Sequence, residues 1–112
     1  MQTRKLFERG RTVELIENLF VAENVTNLET VIYSLRRKIP VLRLYCIVLF
    51  EDRNRMEILP SREAFGKRYE NRPAKIAGIA MGKREAIDLF CFMVEDALEN
   101  GRNPADPKEL IL

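Results

Sequence analysis

The segment 83–100 is composed of helix-forming residues and is apolar on nearly every side of its middle turns, from Ala86 to Val94. A helix on the surface of a globular protein normally carries one apolar stripe and an opposite polar face. A helix that is apolar all round must be covered all round, by its own domain or by a second copy of the chain. We therefore expect this helix either to lie wholly in the core of its own domain or to meet a partner, most commonly a second copy in a homodimer, through one flank at Leu89, Phe92 and Met93 or their neighbours.

The composition is that of an ordinary globular protein. The chain has 112 residues, of which 46% are apolar and 32% are charged, and this predicts one α+β domain spanning 1–112. Its two cysteines, Cys46 and Cys91, lie in apolar runs without metal-ligand or redox spacing, so we expect reduced, buried thiols. No apolar leader and no apolar stretch of membrane-spanning length is present, which predicts a cytoplasmic protein with no membrane partner.

The charges are nearly balanced but unevenly placed. A net charge of +2 is too small for the concentrated basic footprint that is typical of nucleic-acid-binding domains. Carboxylates outnumber cations after Lys83, whereas the first residues are basic. One interpretation is a solvated basic arm and a solvated acidic helix face. The alternative is that the basic start of one copy attracts the acidic end of another copy. The basic arm contains Arg4, Lys5, Arg9 and Arg11.

Two helices are predicted before the first strand. Residues 12–22 show helical spacing, with one side formed by Leu15, Ile16, Leu19 and Phe20. A second helix is expected to begin at a capping box, in which Glu29 follows Thr26 by three residues, and to end at the basic run before Pro40. Its apolar stripe is Leu28, Val31, Ile32 and Leu35.

Three strands and the last helix follow. The apolar run 41–50 predicts a strand buried on both faces, and the alternating segment 55–59 predicts an edge strand that returns in a hairpin. Ser61 is the expected N-cap of a short helix that ends before Pro73. The third strand, 74–81, should place Ile76, Gly78 and Ala80 on one face, where the two small residues would let a helix lie close.

These elements predict an α+β fold in which a small three-stranded antiparallel sheet packs against about four helices. The most apolar strand, 41–50, should be central. With the three predicted strands numbered in chain order, their order across the sheet is then 2-1-3. The helices are the two N-terminal ones, the short one and the long C-terminal one. Gly101 should terminate the long helix, and a last turn should bury Leu110 and Ile111.

No catalytic pattern is present. The chain has no histidine, so the usual general base, metal ligand and nucleophile-activating group are all missing. Paired carboxylates near the hairpin or on the last helix remain the only candidates for acid–base catalysis, and their spacing does not favour it. We expect a non-enzymatic protein with no metal and no cofactor.

Gly82, Lys83 and Arg84 form a candidate anion-binding turn, because they follow a strand and open a helix. The segment lacks the spacing and the hydroxyl residue of a phosphate-binding Walker loop, which excludes nucleotide hydrolysis by that mechanism. Backbone N–H groups beside two cations could still hold a phosphate compound.

Two basic segments are candidate nucleic-acid contacts. One joins cations to aromatic residues that could stack on bases, and the other ends the second predicted helix. The candidates are Arg36, Arg37, Lys38, Arg62, Lys67, Arg68, Tyr69 and Arg72. The sequence thus favours a self-associating interaction module, with a nucleic-acid accessory protein and a small-anion binder as the alternatives.

Overall fold

The computed structural model describes residues 13–112, and it has the α+β class that the sequence predicts. The strands are β1 (Val13–Val21), β2 (Leu44–Phe50), β3 (Arg55–Pro60) and β4 (Ala74–Met81). The helices are α1 (Leu28–Arg36), α2 (Ser61–Ala64) and α3 (Lys83–Glu99), with 3-10 turns at Lys67–Tyr69 and Pro107–Ile111. The basic arm lies outside the described residues.

The strands form one mixed sheet in the order β1-β4-β2-β3. β2 pairs antiparallel with both β3 and β4, so the predicted order of these three strands is confirmed. The predicted three-stranded sheet is wrong, because β1 adds a fourth strand parallel to β4. Residues 13–112 accordingly contain three α-helices.

The predicted helix at 12–22 is therefore a strand, and an irregularity in its pairing explains the error. Leu15 pairs with Ile76 while Phe20 pairs with Gly78, so five steps along β1 match two along β4. Leu15 and Leu19 pack on one side of the sheet, whereas Ile16 and Phe20 pack on the other. The extra residues thus produce a spacing of apolar residues that imitates helical periodicity.

The sheet is covered on both faces. One face packs against Val31 and Leu35 of α1, together with Ala64 of α2 and Tyr69. The other packs against α3 and the last 3-10 turn, through Leu89, Met93, Ala97 and Leu110. The apolar character of β2 follows from this double cover, because a strand buried on both faces has no polar side.

A bulge in β4 adapts the sheet to α3. Gly78 pairs with Ile47 and Ile76 with Val48, which leaves Ala77 as an additional residue. A Cβ built on Gly78 would lie 3.1 Å from Leu89 Cδ2 and 3.2 Å from Ile47 Cδ1, so glycine allows α3 to lie close. Ile76 packs on the opposite face, and not beside Gly78 as the sequence predicts.

The predicted caps have mixed outcomes. The N-cap of α1 is Asn27, and no side chain caps it, so the capping box at Thr26 is wrong. Ser61 is the first residue of α2, and its hydroxyl bonds Val41 rather than its own helix. Gly101 ends α3 as predicted: it adopts φ +73°, with N–H bonds from Gly101 to the Leu98 carbonyl and from Arg102 to the Ala97 carbonyl.

Candidate interaction surface

Helix α3 lies over β4 with one buried side and two exposed flanks. Its buried residues are Ala86, Leu89, Met93 and Ala97, a spacing of three and four that follows one face. Of the predicted interface residues, Leu89 and Met93 therefore lie in the core of the chain itself. Phe92 is 54% exposed and is the only one of the three at the surface.

The flank towards β1 holds Phe92 beside an acidic groove. The Phe92 ring meets the Phe20 ring edge-on, with centroids 6.2 Å apart. The groove between β1 and α3 has a volume of about 480 Å³. Its carboxylates are Glu23, Glu85 and Asp88.

The opposite flank carries a longer row of apolar residues, which the sequence analysis did not assign to an interface. We call Ile87, Cys91, Val94 and Leu98 the α3 stripe. Leu98 is 59% exposed and Ile87 42%, Cys91 is exposed, and Val94 is half-buried. Met56 and Ile58 of the edge strand β3 are half-buried members of the cluster under α3. The spacing of the α3 stripe, i, i+4, i+7 and i+11, was readable from the sequence, but helix geometry alone does not say which flank a sheet leaves uncovered.

The outermost charges of α3 run against its helix dipole, although Glu85 in the first turn agrees with it. Lys83 and Arg84 open the helix and Glu99 closes it, whereas the dipole favours carboxylates at the N-terminus and cations at the C-terminus. Arg84 approaches Asp88 at 4.0 Å, and both side chains are largely exposed, so solvent screens this pair. Arg102 compensates Asp96 near the C-terminus at 3.0 Å. Arg84 and Glu99 keep an unfavourable position within their own chain.

The two thiols differ in accessibility. Cys46 is fully buried in β2, and burial raises its pKa to about 12. Cys91 is exposed on the α3 stripe, so the predicted burial is wrong for this cysteine. A reagent must reach the sulfur of a cysteine to react with its thiolate. Of the two thiols, only Cys91 is accessible in this way.

The candidate anion turn has part of its backbone already engaged. Gly82 has φ +89°, which glycine allows, and its N–H donates to the Arg43 carbonyl at 2.8 Å. Lys83 and Arg84 are exposed at the start of α3. The turn thereby links the end of β4 to the residue preceding β2.

The candidate nucleic-acid residues divide between the two ends of β2, which are about 20 Å apart. Tyr69 is buried and stacks on Phe50 with centroids 4.9 Å apart, and Arg72 lies over the same Phe50 ring and pairs with Asp52 at 3.3 Å. Arg36, Arg37 and Lys38 precede the other end of β2, and Arg62 lies there beside Val41. Lys67 and Arg68 are exposed on the 3-10 turn that contains Tyr69. The stacking aromatic and most of the predicted cations are thus not on one surface.

In residues 13–112, no three Cys, Asp or Glu side chains form a group that could hold a metal ion. Within the same range, no helix has both the length and the apolar character needed to cross a bilayer. Glu51, a candidate catalytic carboxylate, pairs with Lys75 at 3.3 Å on the surface.

Comparison with known proteins assigns no family: no family profile, no curated protein and no solved structure matches the chain. Function must therefore be argued from the surfaces described above.

Proposed function

We propose that the protein is a non-enzymatic interaction module that forms a homodimer through the α3 stripe. The observation that carries this proposal is a double symmetry of α3: its exposed apolar positions and its misplaced charges both complement an antiparallel copy of the same helix. A two-fold interface requires such self-complementarity. If one residue of the first copy contacts a second residue of the other copy, the same two residues also meet with the copies exchanged.

The apolar positions are symmetric about the middle of the helix. In an antiparallel pair centred between Cys91 and Val94, Cys91 of one helix lies opposite Val94 of the other, and Ile87 lies opposite Leu98. All four positions of the stripe are thus used in both copies. Helices packed in this way approach to about 8–10 Å, a distance that side chains of this size can fill.

The charges at the two ends of α3 fit the same arrangement, which in the middle of the helix also brings Asp88 of one copy near Glu95 of the other. The centre that aligns the stripe places Arg84 of one copy near Glu99 of the other, on the solvent side of the pair. Each residue is unfavourable at its own helix end and finds an opposite charge across the interface. A parallel pair would instead bring like charges together.

The experiment is a measurement of solution mass by size-exclusion chromatography with light scattering. The native chain should be a dimer, and Leu98→Glu should be a folded monomer because the charge would be buried against Ile87 of the other copy. Phe92→Glu is the matched control, since Phe92 has similar exposure on the opposite flank and should remain in a dimer. Circular dichroism and the melting temperature establish that each variant is folded.

A short bis-maleimide gives a second, independent readout. It should cross-link two native chains through Cys91, and Cys91→Ser should abolish the product. A native chain that is monomeric at all concentrations would overturn the proposal. A dimer that dissociates in Phe92→Glu but not in Leu98→Glu would move the interface to the flank beside β1 and would also overturn it.

The two alternative functions predict different results. A nucleic-acid accessory protein would be retained on heparin, with weaker retention in Arg68→Ala and Arg72→Ala. A small-anion binder would show a melting temperature that rises with phosphate concentration in the native chain and not in Lys83→Ala. Neither result is expected from a module that acts through the α3 stripe alone.

A further inference from the structure

We propose that the segment 36–43, here named the basic loop, docks on an anionic phospholipid surface. The proposal concerns the end of the sheet opposite the β2–β3 hairpin, and it does not depend on the dimer. It rests on three observations: a single sign of charge, an apolar tip, and a backbone that holds the tip outward.

The charge of the segment 30–50 has one sign. The stretch 30–50 contains four cations, Arg36, Arg37, Lys38 and Arg43, and no carboxylate. The chain as a whole has 19 cations and 17 carboxylates, so the remaining residues have 15 cations against 17 carboxylates. Arg62 lines the same groove as Arg43. Among the described residues, no carboxylate lies within ion-pair distance of Arg36, Arg43 or Arg62.

The tip of the loop is apolar and strongly exposed. Leu42 is 85% exposed, the highest value among the exposed large apolar side chains of the described residues. Ile39 and Tyr33 are exposed nearby, and the guanidinium of Arg37 lies 3.6 Å from the centre of the Tyr33 ring. Scattered exposed leucines need no explanation, but an apolar group surrounded by cations is typical of a docking surface.

The backbone on both sides of Leu42 is fixed. The Val41 N–H donates to Ser61 Oγ at 2.8 Å, and the Ser61 hydroxyl donates to the Val41 carbonyl at 2.8 Å. The Arg43 carbonyl accepts from the Gly82 N–H, and Arg43 itself has φ +69°. Leu42 is thus held outward between two anchored neighbours, one of which adopts a strained conformation.

An anionic bilayer complements all of these features at once. Its phosphates and acidic headgroups attract the cations, and the boundary of its acyl chains accepts Leu42 and Ile39. Nucleic acid would pair with the cations but offers no apolar region for an aliphatic tip. The expectation of no membrane partner was based on the length of apolar stretches, and a docking loop needs no spanning segment.

Vesicle binding tests the proposal. The native chain should co-sediment with vesicles of phosphatidylcholine mixed with phosphatidylglycerol, not with phosphatidylcholine alone, and binding should weaken as salt is raised. Leu42→Asp should weaken binding about tenfold or more, because it replaces the inserted side chain with an anion. Arg43→Gln and Arg62→Gln should each weaken binding about fivefold.

Two control variants distinguish an effect at the basic loop from a general effect of adding an anion or removing a cation. Leu112→Asp makes the same change at an exposed leucine far along the chain, and Arg53→Gln removes one charge from the hairpin at the opposite end of the sheet. Both should bind vesicles as the native chain does. The melting temperature of Leu42→Asp should match that of the native chain, since the side chain is almost fully in solvent.

Two results would overturn the proposal. One is the absence of binding to the anionic vesicles, or equal binding by Leu42→Asp and Leu112→Asp. The other is binding to single-stranded RNA without vesicle binding, lost in the arginine variants and kept in Leu42→Asp, which would assign the loop to nucleic acid. The dimer is a separate matter, because Leu42→Asp leaves the α3 stripe unchanged.

Discussion

The α3 stripe and the basic loop are both exposed apolar surfaces, but their charges are arranged differently. The stripe has a cation at one end, Arg84, and a carboxylate at the other, Glu99. The loop has cations only. A surface that carries both signs in opposite positions can complement a copy of itself, whereas a surface of one sign repels its copy and requires a partner of opposite charge.

The two surfaces also differ in how they are held. The stripe is part of a helix of 17 residues whose other side is buried in the core. The loop has no regular structure after Arg36 and depends on single hydrogen bonds, among them those of Ser61 with Val41 and of Gly82 with Arg43. A substitution in the core beneath the stripe should therefore affect the whole fold, and a substitution at Ser61 should act mainly on the loop.

The largest effect is expected from the buried side of α3. Met93→Ala should lower the free energy of unfolding by about 2–5 kcal/mol, because Met93 is fully buried between the helix and the sheet. Ile87→Ala, on the stripe, should change the stability of the monomer by about 0.5 kcal/mol or less. Urea denaturation at a protein concentration low enough to dissociate the dimer measures both. Equal losses in the two variants would contradict the division of α3 into a core side and an interaction side.

The two thiols provide a second comparison of core with surface. Burial raises the pKa of Cys46 from 9.0 to about 12, so its thiol stays protonated in the folded chain at a pH where it ionises in the unfolded chain. The unfolded state then binds fewer protons, and stability is lost as the pH rises from about 9 to about 12, by about 1.4 kcal/mol per pH unit. Unfolding of the native chain should therefore depend more steeply on alkaline pH than unfolding of Cys46→Ala. Parallel pH profiles for the two proteins would show that the Cys46 site is open to water.

The anchor of the basic loop should give a smaller effect on stability. Ser61→Ala leaves the Val41 N–H without its partner, whereas the Val41 carbonyl still accepts from the Leu44 N–H, and the loss should cost about 1–3 kcal/mol. Vesicle binding should fall as well, because Leu42 is no longer fixed. Thr30→Ala, an exposed change on α1, is the control for both measurements. Undiminished vesicle binding by a folded Ser61→Ala would show that the loop holds its shape without this anchor.

Much of the sheet was predictable from local patterns. The strands β2, β3 and β4 and the helix α3 have unambiguous patterns of apolar residues and clear turn residues such as Pro40 and Gly101. β1 was not predictable, because its apolar spacing depends on an irregular pairing with β4 that no local pattern reveals. The order of the other three strands was recoverable from burial, since the most apolar strand must be internal.

The candidate surfaces were predictable only in part. The apolar surplus of α3 was evident, but the division between Met93 in the core and Leu98 at the surface depends on where the sheet lies. Arg36, Arg37, Lys38 and Arg62 were identified as basic candidates, while Leu42 was interpreted as part of a buried strand. Its exposure follows from the start of β2 at Leu44, which leaves 41–43 in the loop. A strand boundary that differs by three residues thus changes a core residue into a surface residue.

The smallest expected effect tests the charges of the dimer most directly. Arg84→Glu and Glu99→Arg should each weaken dimerisation about twofold to thirtyfold, because two symmetry-related exposed pairs are lost at about 0.2–1 kcal/mol each. Glu99→Arg should at the same time stabilise the folded monomer by about 0.3–1 kcal/mol, since the new charge agrees with the helix dipole. In Arg84→Glu the same gain is offset, because the new carboxylate replaces the Arg84–Asp88 pair with two like charges.

Sedimentation equilibrium measures the first quantity, and denaturation of dilute protein measures the second. The double variant should dimerise as the native chain does, because the charges are exchanged and the pairing is kept. If both single variants dimerise unchanged, Arg84 and Glu99 do not meet across the interface, and the antiparallel arrangement is wrong. A variant that is more stable as a monomer and weaker as a dimer supports the antiparallel pair directly. A charge that is unfavourable within its own chain is favourable only when a second chain supplies its partner.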